Sequence, residues 1–380
     1  MKLLHTSDLH LGRQFDRISL DEDHEAVLDQ IVEAVKTNGV DVLIIAGDVF
    51  DRASPPQSAV RQFNWFLQRV KTETTAAVAM IAGNHDSGDR IDLSAIAADQ
   101  SRWLIRGAIS ADEAPLLLSD QHGDVAISAL PFAYEYAARE CFASESIDTP
   151  EDVLAAQVEA ARAKVPKRAR WIIVAHAFVT GGSVSDSERS LTRVGGIETV
   201  RTSVFDGAHY VALGHLHRPQ SVGADHIRYS GSPLAFGFDE SDSQKSMNLV
   251  ELDAAGQVTV ETLPYKPIRR ARVLRGKHAE LLLLDPSSDF IKAVLTDEVP
   301  VIDGMKRLRE VFPNACELVY ARDERAIEVK SADGLVVAAA EPTDVVRNFL
   351  TEVGLEDISE AEQGVVATSL TRLRQREDAE

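Results

Sequence analysis

Three times within the first 90 residues a run that reads as a strand, apolar throughout in two of the three, stops at a compact polar block. Residues 2–6 lead to Asp8-Leu9-His10, residues 42–46 to Gly47-Asp48-Val49-Phe50-Asp51, and residues 76–82 to Gly83-Asn84-His85-Asp86. The pattern returns at His176, after 171–175, and at Gly214-His215-Leu216-His217, after 210–213. Apolar runs without alternation are expected of strands covered on both faces, so the polar blocks collect at strand tips. Between the runs the spacing turns helical. Val27, Ile31, Ala34 and Val35 mark 22–37, which Asn38-Gly39 ends. Val60, Phe63, Trp65, Phe66, Leu67 and Val70 give 58–70 a broad apolar surface. Further strands are expected at 125–130, 227–229, 247–252 and 258–263, the last two joined through Asp253-Ala254-Ala255-Gly256, and a helix at 151–164. Two sheets covered by helices on their outer faces make the expected fold a four-layer α/β/β/α sandwich over residues 1–265.

Pro264-Tyr265-Lys266-Pro267 marks a boundary. Residues 266–335, with strands at 271–274 and 317–320 and a helix at 301–311, read as a small α+β capping domain. A looser stretch then leads into 336–380, where two amphipathic helices are expected. One, from Thr343, offers Val346, Phe349, Leu350 and Val353 and stops at Gly354. The other opens on the capping box Ser359-Glu360-Ala361-Glu362 and carries Val365, Val366, Leu370 and Leu373.

Composition excludes little but usefully. No apolar run approaches the roughly 20 residues that span a bilayer, and the start has no signal-peptide pattern. The two cysteines are far apart in unlike contexts, so a cytoplasmic protein without a disulfide is expected. A net charge of −20 argues against autonomous, tight DNA binding, which rests on Lys and Arg neutralising phosphates. Against that average stands a basic cluster at Lys266, Arg269, Arg270, Arg272, Arg275 and Lys277. The reading of this cluster stays open between a DNA contact and a charged domain seam.

The polar blocks hold two carboxylates, an amide and four imidazoles suited to metal: Asp8, His10, Asp48, Asn84, His176, His215 and His217. This mixed N/O set fits Mn²⁺, Fe²⁺ or Zn²⁺ better than Mg²⁺ or Ca²⁺. Hydrolysis of a phosphoester must neutralise the phosphate, activate water and stabilise the leaving alkoxide. Two metals about 3.5–4 Å apart, held by a shared carboxylate, do all three. In an extended segment residues i and i+2 point the same way, so Asp8 with His10 and His215 with His217 would each face one cavity. Gly47, Gly83 and Gly214 would let the strands turn ahead of their ligands. His85 should point away from the metals towards the scissile phosphate, with Asp51 orienting it and holding its proton.

The blocks, in this order, resemble those of the calcineurin-like metallophosphoesterases. The finer match is to the SbcD family, nuclease subunits of bacterial SbcCD complexes. It is carried by 4–12 (Leu-His-Thr-Ser-Asp-Leu-His-Leu-Gly), 46–51 with Ser54-Pro55-Pro56, 82–87, 212–218 and Tyr229-Ser230-Gly231-Ser232-Pro233. The similarity covers residues 1–270 well and the remainder by layout. It implies that Asp8, His10, Asp48 and His217 hold one metal and Asp48, Asn84, His176 and His215 the other, with Asp48 bridging. His85 would act on the leaving oxygen or orient the phosphate, and the metal would be Mn²⁺. In archaeal relatives a histidine matches Asp51. The implied activity is ATP-dependent 3'-5' exonuclease action on double-strand ends and endonuclease action on single strands and hairpins, in repair, recombination and replication. The implied partners are DNA ends and hairpins and an SbcC-like ATPase, whose coiled coil would take the C-terminal helices, with a homodimer inside a heterotetramer. The chain itself has no GxxxxGK[ST] loop, so an ATPase would be a separate subunit. Two rivals remain: a free-standing metallophosphatase or cyclic-nucleotide phosphodiesterase of the same fold, and a non-catalytic scaffold of a DNA-tethering complex.

Overall fold

The computed structural model describes residues 1–322 apart from 97, 100, 113, 189–191, 194–195 and 198, with the backbone alone described at 192–193 and 196–197. The helices expected within 336–380 lie outside the described residues. Contacts divide the chain into two units. The first is Met1–Val273 with Asp285–Lys292 and Lys306–Cys316; the second, among the described residues, is Leu274–Leu284, Ala293–Met305 and 317–322.

The first unit is built on two six-stranded sheets. One runs Val258–Pro264, Ser246–Leu252, Lys2–Thr6, Val42–Ala46, Ala77–Ile81, Trp103–Arg106. Its last four strands are parallel; the first two form an antiparallel hairpin added to the edge of Lys2–Thr6. The other runs Gln220–Val222, Ala224–Tyr229, Tyr210–Gly214, Arg170–His176, Gly123–Leu130, Leu116–Asp120. Alternation along each strand divides the apolar side chains between two layers. Leu3, Val42, Ile44 and Ala79 meet Ile127, Ile172, Val174 and Ala212 in the core between the sheets. Leu4, Leu43, Ile45, Val78 and Met80 face the other way, under the helices Asp21–Thr37 and Gln57–Glu73. Ala126, Ile173 and Val211 lie under the helix Pro150–Arg162 on the far side. The fold is therefore the expected four-layer α/β/β/α sandwich.

Two differences from the sequence reading have simple causes. The helix Gln57–Glu73 buries only the narrow stripe Ala59, Phe63, Phe66 and Val70. Trp65 stays 38% exposed because its ring lies on the outward face, covered by the Arg69 guanidinium at 4.8 Å. The edge strands Trp103–Arg106 and Leu116–Asp120 carry little uninterrupted apolar sequence, since an edge strand needs cover on fewer sides. The strand Phe290–Leu295 also went unanticipated. No helix among the described residues is long and apolar enough to cross a membrane.

Candidate metal centre

The loops that carry the polar blocks converge where the parallel strands of both sheets end. Asp8, His10, Asp48, Asn84, His176, His215 and His217 are all buried there. They form one connected cluster. Asp48 Oδ2 lies 3.6 Å from His10 Nε2 and 3.5 Å from His176 Nε2. His10 Nε2 faces His217 Nε2 at 3.1 Å. Asn84 Oδ1 lies 2.9 Å from His176 Nε2 and 3.2 Å from His215 Nδ1. The His215 main-chain N–H donates to the Asp8 carboxylate at 2.9 Å, and Ser7 Oγ donates to it at 2.6 Å.

The way the backbone aims these side chains differs from the extended geometry expected. Asp8, His10, Asp48 and His215 adopt φ of 53°, 46°, 48° and 106°. None of the four is glycine, and such residues cost on the order of 1–3 kcal/mol each in this region. The i/i+2 pairs do reach one site, but through left-handed turns that fold the chain back over the strand tip. The glycines also divide. Gly47 has φ 89° and supplies a turn. Gly214 is needed for space, since a Cβ there would run into the Ala46 carbonyl oxygen.

Hydrogen bonding settles which nitrogens face inward. His176 Nδ1 is 2.9 Å from the Ala46 carbonyl, which can only accept, so this nitrogen carries the proton. Burial holds the His176 imidazole down at about 3, so the ring is neutral and Nε2 is a bare lone pair. It nonetheless points at another acceptor, Asn84 Oδ1. His217 repeats the arrangement. Its Nδ1 donates to Ser187 Oγ at 2.7 Å, while Ser187 donates onward to Glu240 Oε1, so Nε2 again bears the lone pair, aimed at His10 Nε2. His10 Nδ1 and Asn84 Nδ2 are buried with no hydrogen-bond partner. Burial drives Asp8 up to about 8 and Asp48 well above the carboxylate range, and it drives His10 and His215 well down. Imidazole lone pairs on His176 and His217, gathered with further imidazoles around buried carboxylates, are a donor set that fits divalent cations. The groups Asp8/His10/His217 and Asp8/Asp48/His176 are each compact enough to hold an ion.

The chain belongs to the calcineurin-like phosphoesterase family. That family's model matches residues 1–219, ending two residues beyond His217. This phosphoesterase also matches, over 264–353, the SbcD_C model, described as the type 5 capsule protein repressor C-terminal domain. A solved structure, "GAP50 the anchor in the inner membrane complex of Plasmodium", is similar at 10% identity, covering 84% of this chain and 96% of that chain with a TM-score of 0.34. A likeness at that level carries no further argument. Family membership makes the protein a metal-dependent phosphoesterase that uses divalent ions.

His85 stands at the mouth of the phosphoesterase site, half-buried, its ring edge-on to His10 at a centroid distance of 4.8 Å. Its Nδ1 bonds to Asp51, but to the main-chain carbonyl at 2.7 Å. The expectation that the Asp51 carboxylate would take this bond is corrected. The carboxylate instead faces Arg13 at 3.5 Å and His10 Nδ1 at 3.8 Å. The carbonyl orients the ring and keeps the proton on Nδ1 as a carboxylate would, without adding charge. Arg13, beside this pair, is partly committed, donating to the Ser187 carbonyl at 2.9 Å and lying 4.6 Å over the Phe236 ring. In the basic cluster, Arg269 pairs with Asp23 and Arg272 with Asp289.

Four supporting residues escaped the sequence reading. Asp86 accepts from the main-chain N–H groups of Val49, Phe50 and Gly83 at 2.9–3.0 Å, tying two blocks together. Behind His217, Ser187 and Glu240 connect to Lys245, whose ammonium bonds Glu240 Oε2, the His217 carbonyl at 2.8 Å and Ser232 Oγ at 3.0 Å. Burial raises the Glu240 carboxyl, but His217 and Lys245 outweigh it and hold it down at about 2. Asp86 was signalled only by its place in the Gly83-Asn84-His85-Asp86 block, and Glu240 and Lys245 only by their closeness in an otherwise polar stretch, which reads as a solvated loop.

Proposed function

We propose that the protein is a two-metal DNA nuclease, the SbcD-type subunit of a complex with an SbcC-like ATPase. The observation that carries the chemistry is the position of Asp48 Oδ2, 3.6 Å from His10 Nε2 on one side of the cluster and 3.5 Å from the His176 Nε2 lone pair on the other. In this reading Asp48 bridges, with Asp8, His10 and His217 on one ion and Asn84, His176 and His215 on the other, and the ions are Mn²⁺. When bound, such ions neutralise the phosphate, activate water and stabilise the leaving alkoxide. The chain's own residues do the rest. His176 and His217 are held in the tautomer that presents Nε2, by a carbonyl and by the Ser187–Glu240 pair. His85, with Nδ1–H on the Asp51 carbonyl, would act as the imidazolium, its Nε2–H orienting the phosphate or passing to the leaving oxygen and leaving the neutral ring behind.

DNA as the substrate is supported by the SbcD_C match over 264–353 and by the sequence resemblance over 1–270. The activity would be 3'-5' exonuclease on duplex ends and endonuclease on single strands and hairpins. Residues 1–265 would form the nuclease domain, 266–335 the DNA-contacting cap and 336–380 the docking segment for the ATPase, in a heterotetramer with two copies of each chain. The setting would be cytoplasmic. The test uses Mn²⁺-loaded protein on labelled hairpin DNA and on a small phosphodiester, with His85→Ala alongside. The variant should lose about 10²–10⁴-fold in rate while still binding Mn²⁺. Hydrolysis of the small diester alone would instead favour a free-standing phosphodiesterase. Undiminished cleavage by His85→Ala would remove His85 from the mechanism.

A further inference from the structure

A run of aromatic rings leads outward from the candidate metal centre. Phe132, Tyr134 and Tyr136 lie where the strand Gly123–Leu130 gives way to the helix Glu135–Phe142. The Phe132 ring stands edge-on to His176 at 6.4 Å, and Tyr134 edge-on to Phe132 at 5.0 Å. Tyr136 is stacked on Tyr134, with centroids 5.8 Å apart and planes 11° from parallel. Exposure rises along the run: Phe132 is half-buried, Tyr134 is 46% exposed and Tyr136 68%. The rings wall a cleft of about 310 Å³ whose other lining includes Asn84, Asp86 and Ser87.

We propose that Tyr134 and Tyr136 form a stacking ledge for an unpaired nucleobase of single-stranded DNA whose phosphodiester lies at the metal centre. This rests on the nuclease reading above. Rings packed for stability are buried, whereas these two, stacked on each other, stay largely exposed. Among the described residues the lining holds no Lys or Arg and two carboxylates, Asp86, which is taken up by three main-chain N–H groups, and the exposed Asp89, which would repel a phosphate. It therefore suits a base better than a phosphate. The cations Arg13 and Arg52 line a different cavity of about 410 Å³, together with His85 and Asp51. Base and phosphate thus have separate places, the first cavity lined by Asn84 and the second by His85. Every base has a π-face, so a ledge of this kind is tolerant of sequence. A duplex keeps its base faces stacked internally, so the ledge selects single strands and hairpin loops.

The experiment compares kcat/KM of the full-length Mn²⁺ protein on a single-stranded oligonucleotide and on bis(p-nitrophenyl) phosphate. Further oligonucleotides carry one abasic nucleotide at successive positions around the cleaved bond. Base stacking on an aromatic side chain accounts for roughly fivefold to a hundredfold in affinity. The Tyr134→Ala/Tyr136→Ala protein should therefore lower the ratio of the two kcat/KM values about tenfold or more, mainly through KM. Tyr136→Phe should keep the ratio, because stacking needs the ring and not the hydroxyl. One abasic position should cost the wild type a similar factor and cost the double variant little. An unchanged ratio in the alanine protein, or an equal loss in Tyr136→Phe, overturns the ledge while leaving the nuclease reading intact. Wild-type protein that hydrolyses the small diester but no oligonucleotide overturns both.

Discussion

His176 and His217 present the same atom to the same site but are held in opposite ways. His176 is fixed by the Ala46 carbonyl, part of a central strand whose neighbours are buried on both faces. His217 is fixed by side chains, through Ser187 and Glu240 to the ammonium of Lys245. A carbonyl in a packed sheet cannot be mutated away, and it costs the protein no buried charge. The Glu240–Lys245 pair must be desolvated, and such pairs hold only while both partners are present. One half of the centre is thus secured by the fold itself, and the other by three residues that can be changed singly.

The largest effect is expected on the His217 side. Glu240→Ala leaves the Lys245 ammonium buried without its carboxylate, which should cost about 3–5 kcal/mol of stability. Urea unfolding of metal-free protein measures it. The double variant Glu240→Leu/Lys245→Met should recover most of that stability. It should still bind metal 10–100-fold more weakly, because the support for the His217 ring is gone. Recovery of metal affinity together with stability would show that the pair serves folding alone.

On the His176 side only the backbone can be perturbed. Gly214→Ala would press a Cβ into the Ala46 carbonyl and should cost about 1–3 kcal/mol, with weakened metal binding following from the displaced carbonyl. Loss of stability with metal affinity intact would mean that the carbonyl does not set the ring. Ser187→Ala is the mildest change, removing one link while Glu240 remains 3.5 Å from His217 Nδ1. About 1 kcal/mol, or a severalfold loss of metal affinity by calorimetry, is expected.

The same contrast explains what was legible in the sequence. Strand Val42–Ala46 was readable to the residue because burial on both faces demands an unbroken apolar run, whereas Lys2–Thr6 was readable with only Leu3 and Leu4 apolar. The seven buried donors were readable because each lies at or just beyond the tip of a strand. The left-handed backbone at Asp8, His10, Asp48 and His215 was not, since no glycine marks it and the strain is sustained by tertiary packing. The Asp51 carbonyl was hidden because every residue has one. Ser187, Glu240 and Lys245 were hidden because each sits in a polar stretch, and only the folded chain joins them behind His217.

The central claim is that Asp48 joins two ion sites. Isothermal titration of metal-free protein with Mn²⁺, compared with Asp48→Ala, tests it most directly. Two ions should bind per wild-type chain, and the loss of this one carboxylate should weaken both sites together. A single ion per wild-type chain, or an Asp48→Ala protein that retains one site at full affinity, would contradict it.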